Sequence, residues 1–197
     1  MFDRDVLQRS ALEVAPLLLG ATLSRGDVSM RVTEVGAYLG ETDPGSHAFR
    51  GVTPRTAPMF GPPGHVYAYF TYGMHVCANV VCSPNGQASA VLLRAGEITT
   101  GHAEARMRRP TSRSDADLAR GPARLTKALG IELGDSGADW AAAPFALTLA
   151  EQPLEHELGV RTGVSGIGGG AEFPWRFWLP GEASVSPYRR STLRARP

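Results

Sequence analysis

Aromatic, β-branched and cysteine residues dominate residues 66–82, and Gly73 interrupts them. This pattern predicts two strands joined by a sharp turn. Tyr67 and Tyr69 are two positions apart and share one face of an extended strand, whereas Tyr72 lies beside the turn, where a side chain can project beyond the sheet. Such a tyrosine could act as a wedge, although on these residues alone packing of the rings in the core is the simpler interpretation.

Four other segments have the pattern of strands. Residues 30–35 alternate apolar and polar positions, as a half-buried strand does. An Asn-Gly turn signal precedes residues 88–98, which are largely apolar and predict the next strand. Two later strands are predicted at residues 145–149 and 175–178.

Three helices are predicted from their boundaries. Ser10 and Glu13 fit a capping box at the start of a short helix that Gly20 ends, although Pro16 counts against an unbroken helix. Two further helices are predicted at residues 101–109 and 114–129. Pro110 separates them, and Gly130 ends the second.

Two segments predict loops. Residues 40–64 are dense in Gly, Pro, Thr and Asp, and an ordered loop of this length inside a domain is usually functional. Residues 163–170 contain five glycines and predict a flexible loop. They lack the strand and helix that flank the glycines of a nucleotide site, so we reject that function for them.

The 197 residues suit one compact domain, and we expect residues 1–197 to form it. The apolar runs, such as residues 17–19, are far shorter than the roughly 20 residues of a membrane span, and the first residues lack the pattern of a signal peptide. We therefore expect a cytoplasmic protein that does not bind a membrane.

The net charge is +1, but the charges are unevenly distributed. Residues 102–127 contain seven Lys and Arg against three acids, whereas residues 130–160 contain six acids and no Lys or Arg. A basic segment is typical of nucleic-acid binders, although a solvated face is the more common explanation. For the basic tail at residues 189–197, disorder and contact with phosphates are both open.

Cys77 and Cys82 are five residues apart on one predicted strand, so they point to opposite faces and are expected to be buried free thiols. The spacing of these cysteines with His47 and His75 matches no known set of metal ligands. We therefore expect no metal and no cofactor.

Further motifs follow one another along nearly the whole chain. They are residues 37–40 (Ala-Tyr-Leu-Gly), Asp43, His47, residues 53–55 (Thr-Pro-Arg), Met59, Phe60, Pro63, Gly64, Tyr67, Tyr69, Tyr72, Gly73, Met74, Asn79, residues 92–95 (Leu-Leu-Arg-Ala), Gly121, Pro122, Leu125 and residues 175–177 (Trp-Arg-Phe). In this order they resemble the alkyladenine DNA glycosylase (3-methyladenine DNA glycosylase) family.

The resemblance implies a single-domain α+β fold, in which a curved antiparallel sheet carries a protruding β-hairpin and is surrounded by helices. It also implies a monomer, associated with the bacterial nucleoid, that binds double-stranded DNA containing alkylated purines. Such a protein swings the damaged nucleotide into a pocket, because the bond to be cut lies inside the base stack.

The resemblance also assigns roles to residues. Tyr72 would be the intercalating wedge. The base pocket would contain Tyr38, His47, Tyr69 and Asn79. The tyrosine rings would stack on a purine and favour a cationic one by about 1 to 2 kcal/mol per contact. His47 would hydrogen-bond the base or donate to a sugar or phosphate oxygen, and Asn79 would lie at the pocket wall. The DNA backbone would be contacted by Thr53, Arg55, Met74, Arg94 and Arg124.

One position departs from the family pattern. The family's catalytic residue is a glutamate two positions before Tyr38, where it deprotonates the attacking water, but this chain has Gly36 there. A glycine side chain offers no proton acceptor, so the central step of the family mechanism does not carry over. Glu34, about 6.6 Å away along an ideal strand, is the candidate displaced base, and Glu41 and Asp43 are further candidates.

We expect a base-excision-repair hydrolase whose substrate is a purine made cationic by alkylation at N7 or N3, because such a base leaves easily. The missing side chain would also make room for bulky adducts of a DNA-alkylating natural product. One alternative is a protein that binds damaged DNA without cutting it, or a variant whose active-site acid was removed. The other is an RNA-binding module on a similar fold, against which the tyrosine-rich hairpin argues.

Glycosylases that also nick the DNA strand use an amine to form a Schiff base. Lys127 is the only lysine of the chain, and it lies in a predicted helix far in sequence from the pocket motifs. We therefore expect monofunctional chemistry, which leaves an abasic site in an intact strand.

Overall fold

The computed structural model describes residues 4–71 and 73–189. Within them, all strand pairs are antiparallel and belong to one sheet. The strands are β1 (Thr22–Arg25), β2 (Val28–Tyr38), β3 (Val66–Thr71), β4 (His75–Val81), β5 (Ala90–Thr100), β6 (Phe145–Thr148), β7 (Glu157–Gly159) and β8 (Arg176–Trp178). The helices are α1 (Ala11–Leu18), α2 (His102–Arg108), α3 (Asp115–Leu118) and α4 (Pro122–Leu129).

The order of strands across the sheet is β3-β4-β5-β2-β1-β6, and β8 joins β2 to β7. Apolar residues of α1 and α4 pack with those of the central strands in the main core. This arrangement confirms the predicted α+β class. None of the helices in the described residues is both long and apolar enough to cross a bilayer.

The predicted hairpin is confirmed. β3 and β4 pair residue by residue from Val66 opposite Val80 to Thr71 opposite His75. Gly73 occupies the turn with φ at 68°, in the left-handed region that favours glycine. Tyr72 falls outside the described residues.

β2 lies at the centre of the sheet, and its second half is buried on both faces. Thr33 and Glu34 have no exposed surface, although the alternating pattern predicted a half-buried strand. Two register irregularities with β5 on either side of Glu34 break the strict alternation of side chains. β8 covers the other edge of β2 at residues 34–36. The prediction of a solvent-facing side is therefore wrong for this part of β2.

The single helix predicted at residues 114–129 is also wrong, because it is two helices. α3 ends at Leu118 and α4 begins at Pro122, which is the first residue of the helix and disfavours helical geometry in the residue before it. That residue, Gly121, has φ at 122°. The backbone of Arg120 instead forms an isolated bridge with Ala95 of β5.

The N-terminal helix has the predicted boundaries. The backbone N–H of Ser10 donates to Oε2 of Glu13 at 3.2 Å, and Pro16 lies within α1 without ending it. β1 and β7 were not predicted, because each contains a single large apolar residue, Leu23 in β1 and Leu158 in β7, which is too little for a strand pattern.

The long loop at residues 40–64 is ordered by packing against the hairpin. It contains two short 3-10 helices, Gly40–Thr42 and Ala57–Phe60. Its buried residues Ala48 and Met59 form a small core with Tyr67 of β3. The loop therefore presents its polar residues beside the face of the sheet that carries the hairpin tyrosines.

Candidate active site

The strand register aligns one row of side chains across five strands. Tyr67 of β3 lies opposite Asn79 of β4, which lies opposite Leu92 of β5. Leu92 in turn lies opposite Gly36 of β2, and Gly36 opposite Arg176 of β8. Directly opposite residues of antiparallel strands project to the same face. The row therefore places Gly36, the position of the expected family glutamate, in line with the hairpin tyrosines.

A cavity of about 860 Å³ opens over this row. The hairpin and β5 line it on one side, and the long loop and the start of the glycine-rich loop line it on the others. The lining residues are Tyr38, Pro44, Gly45, His47, Arg55, Met59, Tyr67, Tyr69, Phe70, Thr71, Cys77, Asn79, Leu92, Arg94, Pro122, Thr162, Gly163, Val164 and Ser165. This set includes all four residues predicted for the base pocket and contains no Asp or Glu.

Aromatic rings form one wall of the cavity. The ring of His47 meets the ring of Tyr69 edge to face, with centroids 4.5 Å apart, and Tyr67 and Tyr69 are 5.4 Å apart. The guanidinium of Arg55 lies over the Tyr69 ring, 5.4 Å from its centroid. The side chain of Asn79 donates to the backbone carbonyl of Tyr67 at 2.8 Å, which fixes its amide at the edge of this wall.

His47 is neutral in this arrangement. Burial, reinforced by the nearby Arg55 guanidinium, lowers its pKa to about 4. Arg55 can only donate, so the 3.4 Å contact with its Nη2 makes Nε2 the acceptor, and Nδ1–H donates to the Tyr67 hydroxyl at 3.0 Å. Burial also raises the pKa of Cys77, and Cys77 and Cys82 are free thiols as predicted.

Glu34 lies behind the cavity, between two arginines. Its Oε1 accepts from Nε of Arg94 and from Nε of Arg176, both at 2.8 Å, and its Oε2 accepts from the backbone N–H of Ser186 at 2.7 Å. Burial alone would raise the pKa of this carboxyl, but Arg94, Ser186 and Arg176 outweigh burial and lower it. A fully buried carboxylate with these partners is a poor proton acceptor. Glu34 does not line the cavity.

Arg94 lies where a side chain at position 36 would begin. A Cβ atom on Gly36 would be 3.3 Å from Cδ of Arg94 and 3.7 Å from the ring of Tyr38. Arg94 is only 3% exposed, and its Nη atoms have no hydrogen-bond partner among the residues that the structure describes. The Arg94 guanidinium is therefore part of the cavity lining, and only the part of a ligand inside the cavity can contact it.

A second buried arginine was not predicted. Arg161 donates to both carboxylate oxygens of Asp43 and to the backbone carbonyls of Ala37 and Gly168. Asp43 has no exposed surface and does not line the cavity. The sequence offered one signal for this residue, because Arg161 is the first Lys or Arg after Lys127.

Comparisons with known proteins identify the family of the chain. A family model described as "Methylpurine-DNA glycosylase (MPG)" matches residues 5–183. A protein of Leifsonia xyli subsp. xyli is 62% identical over 95% of this chain and 92% of its own length, and one of Streptomyces avermitilis is 54% identical over 98% and 94%. Both are named "Putative 3-methyladenine DNA glycosylase".

The chain belongs to the methylpurine-DNA glycosylase family. DNA glycosylases are hydrolases of the N-glycosidic bond, so membership confirms the predicted family and enzyme class. Among the residues that the structure describes, no group of three or more His, Cys, Asp and Glu side chains could hold a metal ion.

The residues predicted to contact the DNA backbone of a methylpurine-DNA glycosylase are spread over this surface. Thr53 and Arg55 are exposed on the long loop, and Met74, beside the hairpin turn, is 68% exposed. Arg124 is exposed on α4 and is paired with Asp117. The basic segment is thus partly neutralised by its own acids, since Glu104 and Asp115 also pair with arginines of that segment.

Replacing Glu34 with Gln should destabilise the fold by about 3–5 kcal/mol, because it leaves Arg94 and Arg176 buried without their carboxylate. Chemical unfolding at pH 7 measures the loss. The pKa of Glu34 is lowered in the folded state, so its contribution is present above the unfolded pKa of about 4.3 and is lost as the pH falls through the folded pKa. The difference between the two proteins should therefore shrink in acid.

Glu97→Gln is the matched control for this variant. Glu97 pairs with Arg31 but is 52% exposed, so its loss should cost no more than about 1 kcal/mol. Equal losses for the two variants would contradict the stabilising role of Glu34.

Proposed function

We propose that the chain releases cationic N3- or N7-alkylated purines from double-stranded DNA and leaves an abasic site. The observation that supports this most directly is the aromatic cavity, where Tyr38, His47 and Tyr69 offer rings to an enclosed planar base. The negative faces of such rings attract a cationic base more strongly than a neutral one. Membership of the methylpurine-DNA glycosylase family supports the same substrate class.

The hairpin is suited to opening the DNA. Phe70 and Met74 are exposed apolar side chains on either side of its turn. Apolar wedges of this kind insert between base steps from the minor groove and compensate for the lost stacking. We propose Tyr72 as the central wedge, and Thr53, Arg55 and Arg124 as contacts to phosphates, in a protein that acts as a monomer on the nucleoid.

The chemistry proposed here depends on the leaving group. The bond between C1′ and the purine nitrogen breaks with its electron pair on the purine, which makes a cationic base neutral. Water adds to C1′ and loses its proton to solvent. General-base assistance is typically worth about 10² to 10⁴-fold, and the described residues supply no carboxylate to the cavity lining that could give it. A neutral base such as hypoxanthine should then be a poor substrate.

We propose that Glu34 positions Arg94 and does not itself accept the proton. The carboxylate directs Nε of Arg94 away from the cavity and leaves the Nη atoms free to hydrogen-bond with the sugar or the attacking water. Glu41 is exposed and also absent from the cavity lining. The cavity volume also leaves room for bulky purine adducts.

Gly36 favours a second candidate function, which is binding of damaged DNA without cutting. The same aromatic cavity would hold a flipped lesion, and the expected family base would be missing. The two functions differ in whether free base appears.

Single-turnover release of 7-methylguanine and 3-methyladenine from methylated duplex DNA should exceed the spontaneous rate, with hypoxanthine release far slower. The rate should be nearly constant from pH 5 to 8, because the pKa of His47 is lowered to about 4 and those of Tyr38, Tyr69 and Cys77 are raised. A rate that rises through a midpoint in this range would reveal a general base. Tight lesion binding without release of methylated or bulky purines would establish the binding function instead.

The substitution Gly36→Glu should add a proton acceptor and increase hypoxanthine release by about 10² to 10⁴-fold. The new Cβ requires Cδ of Arg94, now 3.3 Å away, to shift by only a few tenths of an ångström. Gly36→Gln is the control of equal size without basicity. An equal gain in both variants would show that basicity is not its cause. No gain in either variant at unchanged melting temperature would show that position 36 does not face the reacting sugar.

No protein–DNA adduct should form when the reaction is run with borohydride. Lys127, the only lysine, is exposed on α4 and does not line the cavity. Denaturing gels should show strand breaks only after alkali treatment of the abasic product. A trapped adduct that disappears in Lys127→Arg would overturn the monofunctional mechanism.

A further inference from the structure

Arg161 is a buried cation directly behind an aromatic ring of the cavity. Its guanidinium lies 4.6 Å from the centroid of the Tyr38 ring and 5.0 Å from that of Trp175. Tyr38 lines the cavity, whereas Arg161 is fully buried and does not. The Tyr38 ring therefore separates this cation from the cavity, and its other face is the one left for a base.

Asp43 balances the charge of Arg161. Its Oδ2 accepts from Nη1 of Arg161 at 2.5 Å and its Oδ1 from Nη2 at 2.7 Å, with both side chains removed from solvent. The backbone N–H groups of Leu39 and Gly45 also donate to this carboxylate. The pair behind the ring is therefore close to neutral overall, and its geometry is fixed on all sides.

This balance matters to a ligand on the far side of Tyr38. A base stacked at about 3.5 Å on the free face would lie about 8 Å from the guanidinium. Two unit charges at that distance and an effective dielectric constant of about 20 repel enough to change an affinity by about 30-fold. A guanidinium alone would thus oppose a cationic base and leave a neutral base unaffected.

We propose that Asp43 and Arg161 are specificity-determining residues, which set the preference of the cavity for cationic over neutral bases by the charge that they place behind Tyr38. The proposal rests on the base-binding role of Tyr38 in the proposed function. It goes beyond that function because it assigns charge selectivity to residues that a base in the cavity does not touch.

The test compares two duplexes that differ only in charge. One contains 7-methylguanine and the other its neutral isostere 7-methyl-7-deazaguanine, both with 2′-fluoro sugars so that the base is retained. The ratio of the two dissociation constants is measured at pH 6, where N1 of 7-methylguanine keeps its proton and the base is a cation, for the unmodified chain, Asp43→Asn, Arg161→Met and the double variant. Thermal melting establishes that each protein is folded.

Asp43→Asn should lower the preference for the cationic duplex by about 10- to 30-fold, and Arg161→Met should raise it. The double variant should return the ratio towards that of the unmodified chain, even where both affinities fall. If Asp43→Asn does not fold, the rise in the ratio in Arg161→Met and its reversal in the double variant carry the test.

A purely structural role would weaken both duplexes equally and leave the ratio unchanged, and this result would overturn the proposal. The readout is independent of catalysis. If no base is released but the ratio of dissociation constants falls in Asp43→Asn and rises in Arg161→Met, the specificity role is supported and the proposed glycosylase activity is rejected. If the unmodified chain shows no preference but the variants shift as expected, only the cationic substrate class is lost.

Discussion

The burial of the Glu34 carboxylate is the constraint on which the floor of the cavity depends. Removing a carboxylate from water costs several kcal/mol unless cations and hydrogen-bond donors replace its hydration. Arg94, Arg176 and the backbone of Ser186 supply them from three separate parts of the chain. Arg94 passes beside position 36 to reach this carboxylate, and its Cδ lies 3.3 Å from the place that a Cβ on Gly36 would occupy.

The second buried pair, Asp43 with Arg161, follows the same principle. In both pairs the acid lies outside the lining of the cavity, so among the described residues the cavity offers aromatic faces and hydrogen-bond donors without a carboxylate. Interactions of this kind are strong because the surroundings exclude water. The described lining of the cavity is thus suited to stacking and hydrogen bonding more than to removing protons.

Local signals predicted a large part of the fold. The hairpin, the capping box of Ser10 and the ordered loop at residues 40–64 each depend on residues close in sequence, and the pocket residues Tyr38, His47, Tyr69 and Asn79 followed from the family resemblance. The ion pairs did not, since Arg161 and Asp43 are separated by 118 positions and no pattern along the chain links them. The break before Pro122 was visible in the sequence, but the helical pattern on both sides outweighed it.

Gly36 also has a genetic consequence. Every glycine codon differs by a single nucleotide from a codon for aspartate or glutamate, so a carboxylate at this position is one point mutation away. The register that aligns position 36 with Leu92 and Arg176 is held by backbone pairing and does not need a side chain there. Under the proposed function, one point mutation would therefore exchange a site that depends on the lability of its lesion for one that carries its own general base.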